Sequence, residues 1–420
     1  MHKKDKSWWF FALILAIFGT VVYFLMQQGS AIDVALHRSG ATGTLGTLEL
    51  FRNLTLHNLM EPAAMILLQI IAILIVSRVF SSLFAKIQQP TVIGEILAGI
   101  VLGPSLLGMV FPGAYSFLFS PESLDNLYII SQIGLVLFMF TIGMDLNMSE
   151  LKDKLKNTFI ISQSSIVVPF MLGMILAMVI YRDYSPPDSN FTSFALFIGI
   201  SMSITAFPVL ARIVQEKGLS KTHLGTISIG SAAINDVTAW LLLVAVIAIA
   251  QTGSLASSAY TLLFTGIYIA LMLFVVRPFL KRIGAIYQKE ELMNKSIFGF
   301  FILMLIISAY TTQLLGIHAL FGAFMAGLIM PPMPRFRKLM VDKIEDLSVS
   351  LLLPLFFVYT GLKTEIGLLN TPSLWMLCLV FIAVAVVGKL GGSAIPARAI
   401  GESWKDSLSL GVLMNTRGLM

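Results

Sequence analysis

Long apolar runs separated by short polar links recur from one end of the chain to the other. Thirteen apolar spans are predicted, at residues 8–26, 63–84, 93–111, 127–144, 158–180, 191–214, 224–250, 259–276, 297–315, 319–330, 347–362, 374–395 and 408–420. Runs of about 18 apolar residues or more read as membrane-crossing helices, whereas a β-barrel would show short alternating segments. The expected fold class is therefore an all-α polytopic membrane protein. Residues 1–61 are read as an N-terminal membrane helix with an external segment, and 62–420 as one transmembrane domain. The opening MHKKDKSWWFFALILAIF is longer than the core of a usual signal peptide and has no clear small-residue cleavage site, so a retained first helix is expected.

The apolar pattern repeats itself. GEILAGIVLGP (94–104) resembles GAFMAGLIMPP (322–332) at an offset of 228, and LFMFTIGMDL (137–146) resembles LFFVYTGLKT (355–364) at an offset of 218. In the predicted topology the first copy of the glycine-rich segment runs outward and the second inward. Such inverted repeats characterise secondary transporters. The same repeat pairs 158–180 with 374–395, and 191–214 with the segment beginning at 408. The partner of 224–250 would then lie beyond residue 420, so at least one further span is expected there.

Composition narrows the class. Of 420 residues, 57% are hydrophobic and only 12% charged, against about 25% charged in soluble domains. The single cysteine, Cys378, excludes a disulfide framework or a cysteine metal cluster. The net charge of +6 lies in short loops, not on a nucleic-acid-binding face. Placing the N-terminus in the cytoplasm leaves Arg38, Arg52, Arg182 and Lys363 outside, and Arg78, Lys389 and Arg417 within spans. The other 21 of the 28 Lys and Arg residues then lie inside. That bias is the positive-inside signal. Membrane lipid is the expected surrounding; no nucleic acid, cofactor or enzymatic activity is expected.

Polar residues inside the apolar runs carry the chemistry. Asn235 and Asp236 lie within 224–250, where a charge costs about 3 kcal/mol on insertion scales. An inert polar clamp would explain them structurally, but an intramembrane acid is by default a functional one. Lys389 sits in the middle of 374–395, too far from its ends to be a snorkelling residue, and is a candidate partner for the acid. Glycines 388, 391 and 392 beside it allow close helix approach. Asn235 supplies an oxygen ligand, and Ser231 lies one turn earlier on a similar face. Oxygen donors suit a hard monovalent cation, and no His/Cys cluster suggests a resident metal. One span earlier, Pro208 opposes helix continuation in SMSITAFPVLARI, with Ser201, Ser203 and Thr205 placed to bond the groups freed by a break. The bland alternative is a simple proline kink. Glu95, near a span start, is read as a helix-end charge or a participant in transport. Arg417, in MNTRG, either lines a pathway or satisfies an acid further on.

Together, QPTVIGEILAGIVLGPSLLG, ITAFPVLARI, SAAINDVTAW, PLFFVYTGL and GVLMNTRGLM resemble the monovalent cation:proton antiporter-2 family, in the flavour of plant cation/H⁺ exchangers and their bacterial relatives. The resemblance runs from about Pro90 to the end. It implies a homodimer in the bacterial inner (plasma) membrane, each copy with a dimerisation panel and a six-helix core in which two broken helices cross. Thr205 and Pro208 then fall at the first crossover and Arg417 at the second. Asp236 is the ion- and proton-binding acid, and Lys389 its ion-pair partner. Asn235 stands where the electrogenic branch has a second Asp, which implies electroneutral exchange and leaves Na⁺ against K⁺ open. Three other classes remain at this level: a ligand-gated potassium efflux system, an organic-anion symporter and a non-transporting membrane sensor.

Overall fold

Backbone amides have no water to bond in a bilayer, so apolar sequence of this density must satisfy itself as helices. The computed structural model describes residues 61–146, 148–187, 189–252, 256–287 and 295–417, besides the single positions 20 and 58, and every described element is helical. The backbone divides into two units, 1–61 and 62–420. The helices of the second unit are α1 (Pro62–Lys86), α2 (Thr91–Leu102), α3 (Pro112–Leu118), α4 (Pro121–Asp145), α5 (Met148–Tyr184), α6 (Phe191–Ser203), α7 (Phe207–Glu216), α8 (His223–Thr252), α9 (Ala256–Leu271), α10 (Arg277–Tyr287), α11 (Lys295–Leu314), α12 (Ala319–Leu328), α13 (Pro334–Leu347), α14 (Leu353–Leu362), α15 (Pro372–Ala399) and α16 (Trp404–Met414).

Among the described residues ten helical segments are long and apolar enough to cross a membrane, not thirteen. The predicted span 8–26 lies outside the described residues. The predicted 319–330 yields only the ten-residue α12, because Pro331 and Pro332 cannot continue it. The predicted 408–420 yields α16, which ends at Met414 ahead of Asn415 and Thr416. The span predicted at 191–214 is two half-helices, α6 and α7, with Ile204–Thr205–Ala206 unwound between them.

The helices pack as two groups. In one, α2 lies on α1 and α14, and α12 lies on α4 and α11; in the other, α5 contacts α6, α8 and α15, and α15 contacts α16. Glycine makes the close approaches. A Cβ built on Gly361 would stand 2.8 Å from Gly99 Cα, and one on Gly327 would stand 2.9 Å from the Met144 nitrogen. Gly99 and Gly327 hold the same place in the first pair of similar strings, and Gly143 and Gly361 in the second. The contacts are reciprocal: Gly99 meets Val358 and Gly361, while Gly327 meets Phe140 and Met144. Only residues without a side chain let helix backbones meet this closely.

Contacts between the groups concentrate on α7 and α8. At the break, Phe207 packs edge-on against Phe324, with ring centres 5.1 Å apart. Trp240, on α8, stacks on His318 at 5.2 Å. At the far end of α7, Glu216 accepts from the Thr91 N–H at 2.8 Å, pairs with Arg212 at 2.8 Å, and is followed by Lys217, which donates to the Gln88 carbonyl at 2.9 Å.

Candidate functional site

A helix break leaves carbonyls on one side and N–H groups on the other without partners, and each must be bonded if it is buried. The break between α6 and α7 does this in part with the residues singled out from the sequence. On the donor side, the Thr205 N–H bonds Oδ1 of Asn235 at 3.2 Å, and the Ala206 N–H bonds the Thr416 carbonyl at 2.9 Å. Thr205 Oγ1 donates to the Met414 carbonyl at 3.3 Å. The unwound segment after α6 therefore meets the unwound segment after α16. Pro208 lies in the first turn of α7, where a missing N–H costs nothing.

On the acceptor side, the carbonyl end of α6 carries the negative end of its dipole, which favours cations. Two basic side chains arrive there. Lys389, fully buried on α15, donates to the Ser203 carbonyl at 2.5 Å and to the Ser165 carbonyl at 2.9 Å. Arg417 donates to the Met202 and Ala385 carbonyls and to Asn415 Oδ1 at 3.2 Å. It braces the meeting of the two unwound segments and pairs with no described acid.

Asn235 is held at both ends of its amide. Besides accepting from Thr205, it donates through Nδ2 to Ser165 Oγ at 2.9 Å. Its neighbour Asp236 is 4% exposed and has no hydrogen bond or ion pair to any described residue. Lys389 is not its ion-pair partner in this structure, contrary to the expectation from the sequence. The lysine is occupied by two carbonyls instead, because the end of α6 presents that of Ser203 and the interior of α5 that of Ser165 within its reach.

Other expectations are redistributed. Ser201 and Ser203 do not serve the break; their hydroxyls donate back into α6, to Ile198 at 2.9 Å and Gly199 at 2.7 Å. Ser231 is buried, and its hydroxyl donates to the Thr158 carbonyl of α5 at 3.3 Å. Glu95 belongs to the other group of helices. It lies beyond the first turn of α2 and caps nothing; it is 4% exposed with Oε2 unbonded, in the surroundings of Arg212, Glu216 and Arg78. The sequence reading missed Ser165 and Pro169. The signal was present in SSIVVP, where a proline inside an apolar run follows a serine by four residues.

The model for the transmembrane region of sodium/hydrogen exchangers matches residues 70–420. The chain belongs to the sodium/hydrogen exchanger family. Relatives within that breadth include the Na(+)/H(+) antiporter NhaS4 of Synechocystis sp., 42% identical over 84% of this chain and 87% of its own length. Cation/H(+) antiporter 17 of Arabidopsis thaliana is 36% identical over 85% of this chain and 43% of its own length. K(+)/H(+) antiporter 1 of Saccharomyces cerevisiae is 30% identical over 87% and 42%. The chain thus spans less than half the length of the plant and yeast relatives. Among solved structures, the sodium proton antiporter MjNhaP1 of Methanocaldococcus jannaschii superposes with a TM-score of 0.61 over 84% of this chain and 83% of its own, at 14% identity. At that identity the likeness speaks for the fold. For an exchanger-family chain, the multi-pass membrane architecture and all-helical fold are as expected.

Proposed function

We propose that this protein is a secondary transporter that exchanges a monovalent cation, Na⁺ or K⁺, for protons across the membrane by alternating access. One observation carries the reading: the carboxylate of Asp236 is buried without a hydrogen-bond or ion-pair partner among the described residues, and the residue before it, Asn235, ties down the break between α6 and α7. An ionised carboxylate out of water needs a compensating charge. A proton or a cation can supply it, and the two exclude each other at one group. If only the neutralised site crosses the low-dielectric barrier, the two fluxes are coupled, and the bound species shifts the balance between the two access states. Asp236 is the exchanging acid, with oxygens of Asn235 and Thr205 near the cation. Lys389 is the charge that takes the place of the cation when the site is empty.

The names of the relatives support the cation/proton class: sodium for the Synechocystis protein and potassium for the yeast protein. Asn rather than Asp at position 235 favours one-for-one, electroneutral exchange. The reciprocal contacts of Gly99, Gly143, Gly327 and Gly361 support two inverted repeats of the kind on which many alternating-access transporters are built. A homodimer in a bacterial inner membrane with a cytoplasmic N-terminus completes the proposal, its orientation supported by the lysine and arginine bias. The test uses the full-length protein in proteoliposomes with a trapped pH-sensitive dye. Added Na⁺ or K⁺ should move protons in the natural protein and not in Asp236→Asn; exchange retained by folded Asp236→Asn would refute the assignment.

A further inference from the structure

Resting on the antiport reading of Asp236, we propose that Ser165 and Pro169 are positioning residues for cation exchange. Pro169 leaves the Ser165 carbonyl free to hold Lys389 away from Asp236, while the Ser165 hydroxyl sets the orientation of Asn235.

In an uninterrupted helix the carbonyl of residue 165 accepts from the N–H of residue 169. Residue 169 is proline, inside α5, and has no N–H to give. The freed carbonyl is buried and needs a donor. Lys389 Nζ supplies it at 2.9 Å and uses a second of its three protons on Ser203 O at 2.5 Å. The approach of α15 is fitted to the proline: a Cβ on Gly388 would lie 3.0 Å from Pro169 Cα and 3.1 Å from its Cβ. A side chain at 388 would therefore press α15 against Pro169, which would have to give by a few tenths of an ångström.

The side chain of the same serine works on the other neighbour of the acid. Ser165 Oγ donates to the Ser162 carbonyl at 2.7 Å, which fixes it as an acceptor for Asn235 Nδ2 at 2.9 Å. With Nδ2 so engaged, the amide presents Oδ1 to the Thr205 N–H at 3.2 Å. One residue thus restrains both the lysine that competes with a cation for Asp236 and the amide beside it. The two arms are separable. Pro169→Ala restores an N–H that competes for the Ser165 carbonyl, loosens Lys389 and strengthens its competition with the cation. Ser165→Ala keeps the carbonyl and releases only Asn235.

The experiment titrates purified full-length protein in detergent with NaCl or KCl at constant ionic strength and follows thermal stabilisation. It compares the natural protein, Pro169→Ala, Ser165→Ala, Lys389→Ala and the two double variants carrying Lys389→Ala. Pro169→Ala should raise the half-saturating cation concentration about fivefold, the scale of one exchanged hydrogen bond. It should do nothing further in the Lys389→Ala background, because the effect runs through the lysine. An unmoved titration, or an equal shift in both backgrounds, overturns the role of Pro169. Ser165→Ala should weaken the cation equally with and without Lys389; an effect that vanishes in the Lys389→Ala background overturns the separation of the two arms. If Pro169→Ala does not fold, Pro169→Gly restores the same N–H and carries the same comparison. Proton movement by the natural protein in proteoliposomes is measured alongside. Its absence overturns the antiport reading, whereas its presence with an unmoved Pro169 titration overturns only this inference.

Discussion

The main-chain N–H of Thr205 donates to Oδ1 of Asn235 across 3.2 Å, although 30 residues separate them in the chain. Asn235 thereby closes a helix break from a neighbouring helix. A buried N–H left unbonded costs about 1–3 kcal/mol. Asn235→Ala is accordingly expected to lower thermal stability by that order and to weaken exchange. Asn235→Asp, which keeps an acceptor for Thr205, should melt closer to the natural protein. Equal melting temperatures for Asn235→Ala and the natural protein would remove Asn235 from the closure.

Lys389 brings a positive charge to the end of α6 through the Ser203 and Ser165 carbonyls. In the proposed scheme, removing that charge leaves the ionised carboxylate of Asp236 harder to sustain without a bound proton or cation. Lys389→Ala should move the pH profile of exchange in proteoliposomes to higher pH, or weaken exchange at every pH. A profile and rate identical to the natural protein would end its assigned role.

The glycine contacts make a stability prediction independent of transport. A Cβ on Gly361 meets Gly99 Cα at 2.8 Å, with backbone rather than a movable side chain on the far side. Gly361→Val should cost about 3 kcal/mol or more, as overpacking against fixed backbone does. Gly367, with nothing within 4 Å of such a Cβ, provides the control: Gly367→Val should melt near the natural temperature. Similar unfolding curves for the two variants would contradict the packing described.

His318 links stability to pH. Its Nδ1 accepts from the Leu320 N–H at 3.4 Å, capping α12, and its ring lies against Trp240. Burial pushes its pKa down from 6.5 to about 4. Above the unfolded value both states are neutral, and the cap contributes in full. As pH falls from about 6.5 toward 4 the unfolded chain takes up the proton first, so stability is lost in that window. Melting temperature should drop across it in the natural protein and drop less in His318→Asn; parallel acid limbs would exclude the histidine as the cause.

Much of the architecture was legible in the residue pattern because the bilayer leaves one choice. An apolar run of sufficient length must be a helix, so most predicted spans correspond to observed ones. Pro208 marked the break between α6 and α7 because a missing N–H is a local property. The count was not legible. Whether 319–330 crosses as a full helix depends on where Pro331 and Pro332 stop it, and whether 408–420 does depends on what Asn415 and Thr416 bond instead.

The sequence by itself determined which residues carry polar chemistry into an apolar domain: Asp236, Asn235, Thr205, Lys389 and Arg417 all follow from their cost in a membrane. Only the tertiary structure decided how they are partnered. Charge complementarity suggested a Lys389–Asp236 pair, but the nearest acceptors are carbonyls, freed by Pro169 on α5 and by the end of α6. A main-chain carbonyl carries no mark in the sequence of being free. That state exists only where a helix is interrupted and another helix delivers a donor, which is a property of packing across 224 residues of chain.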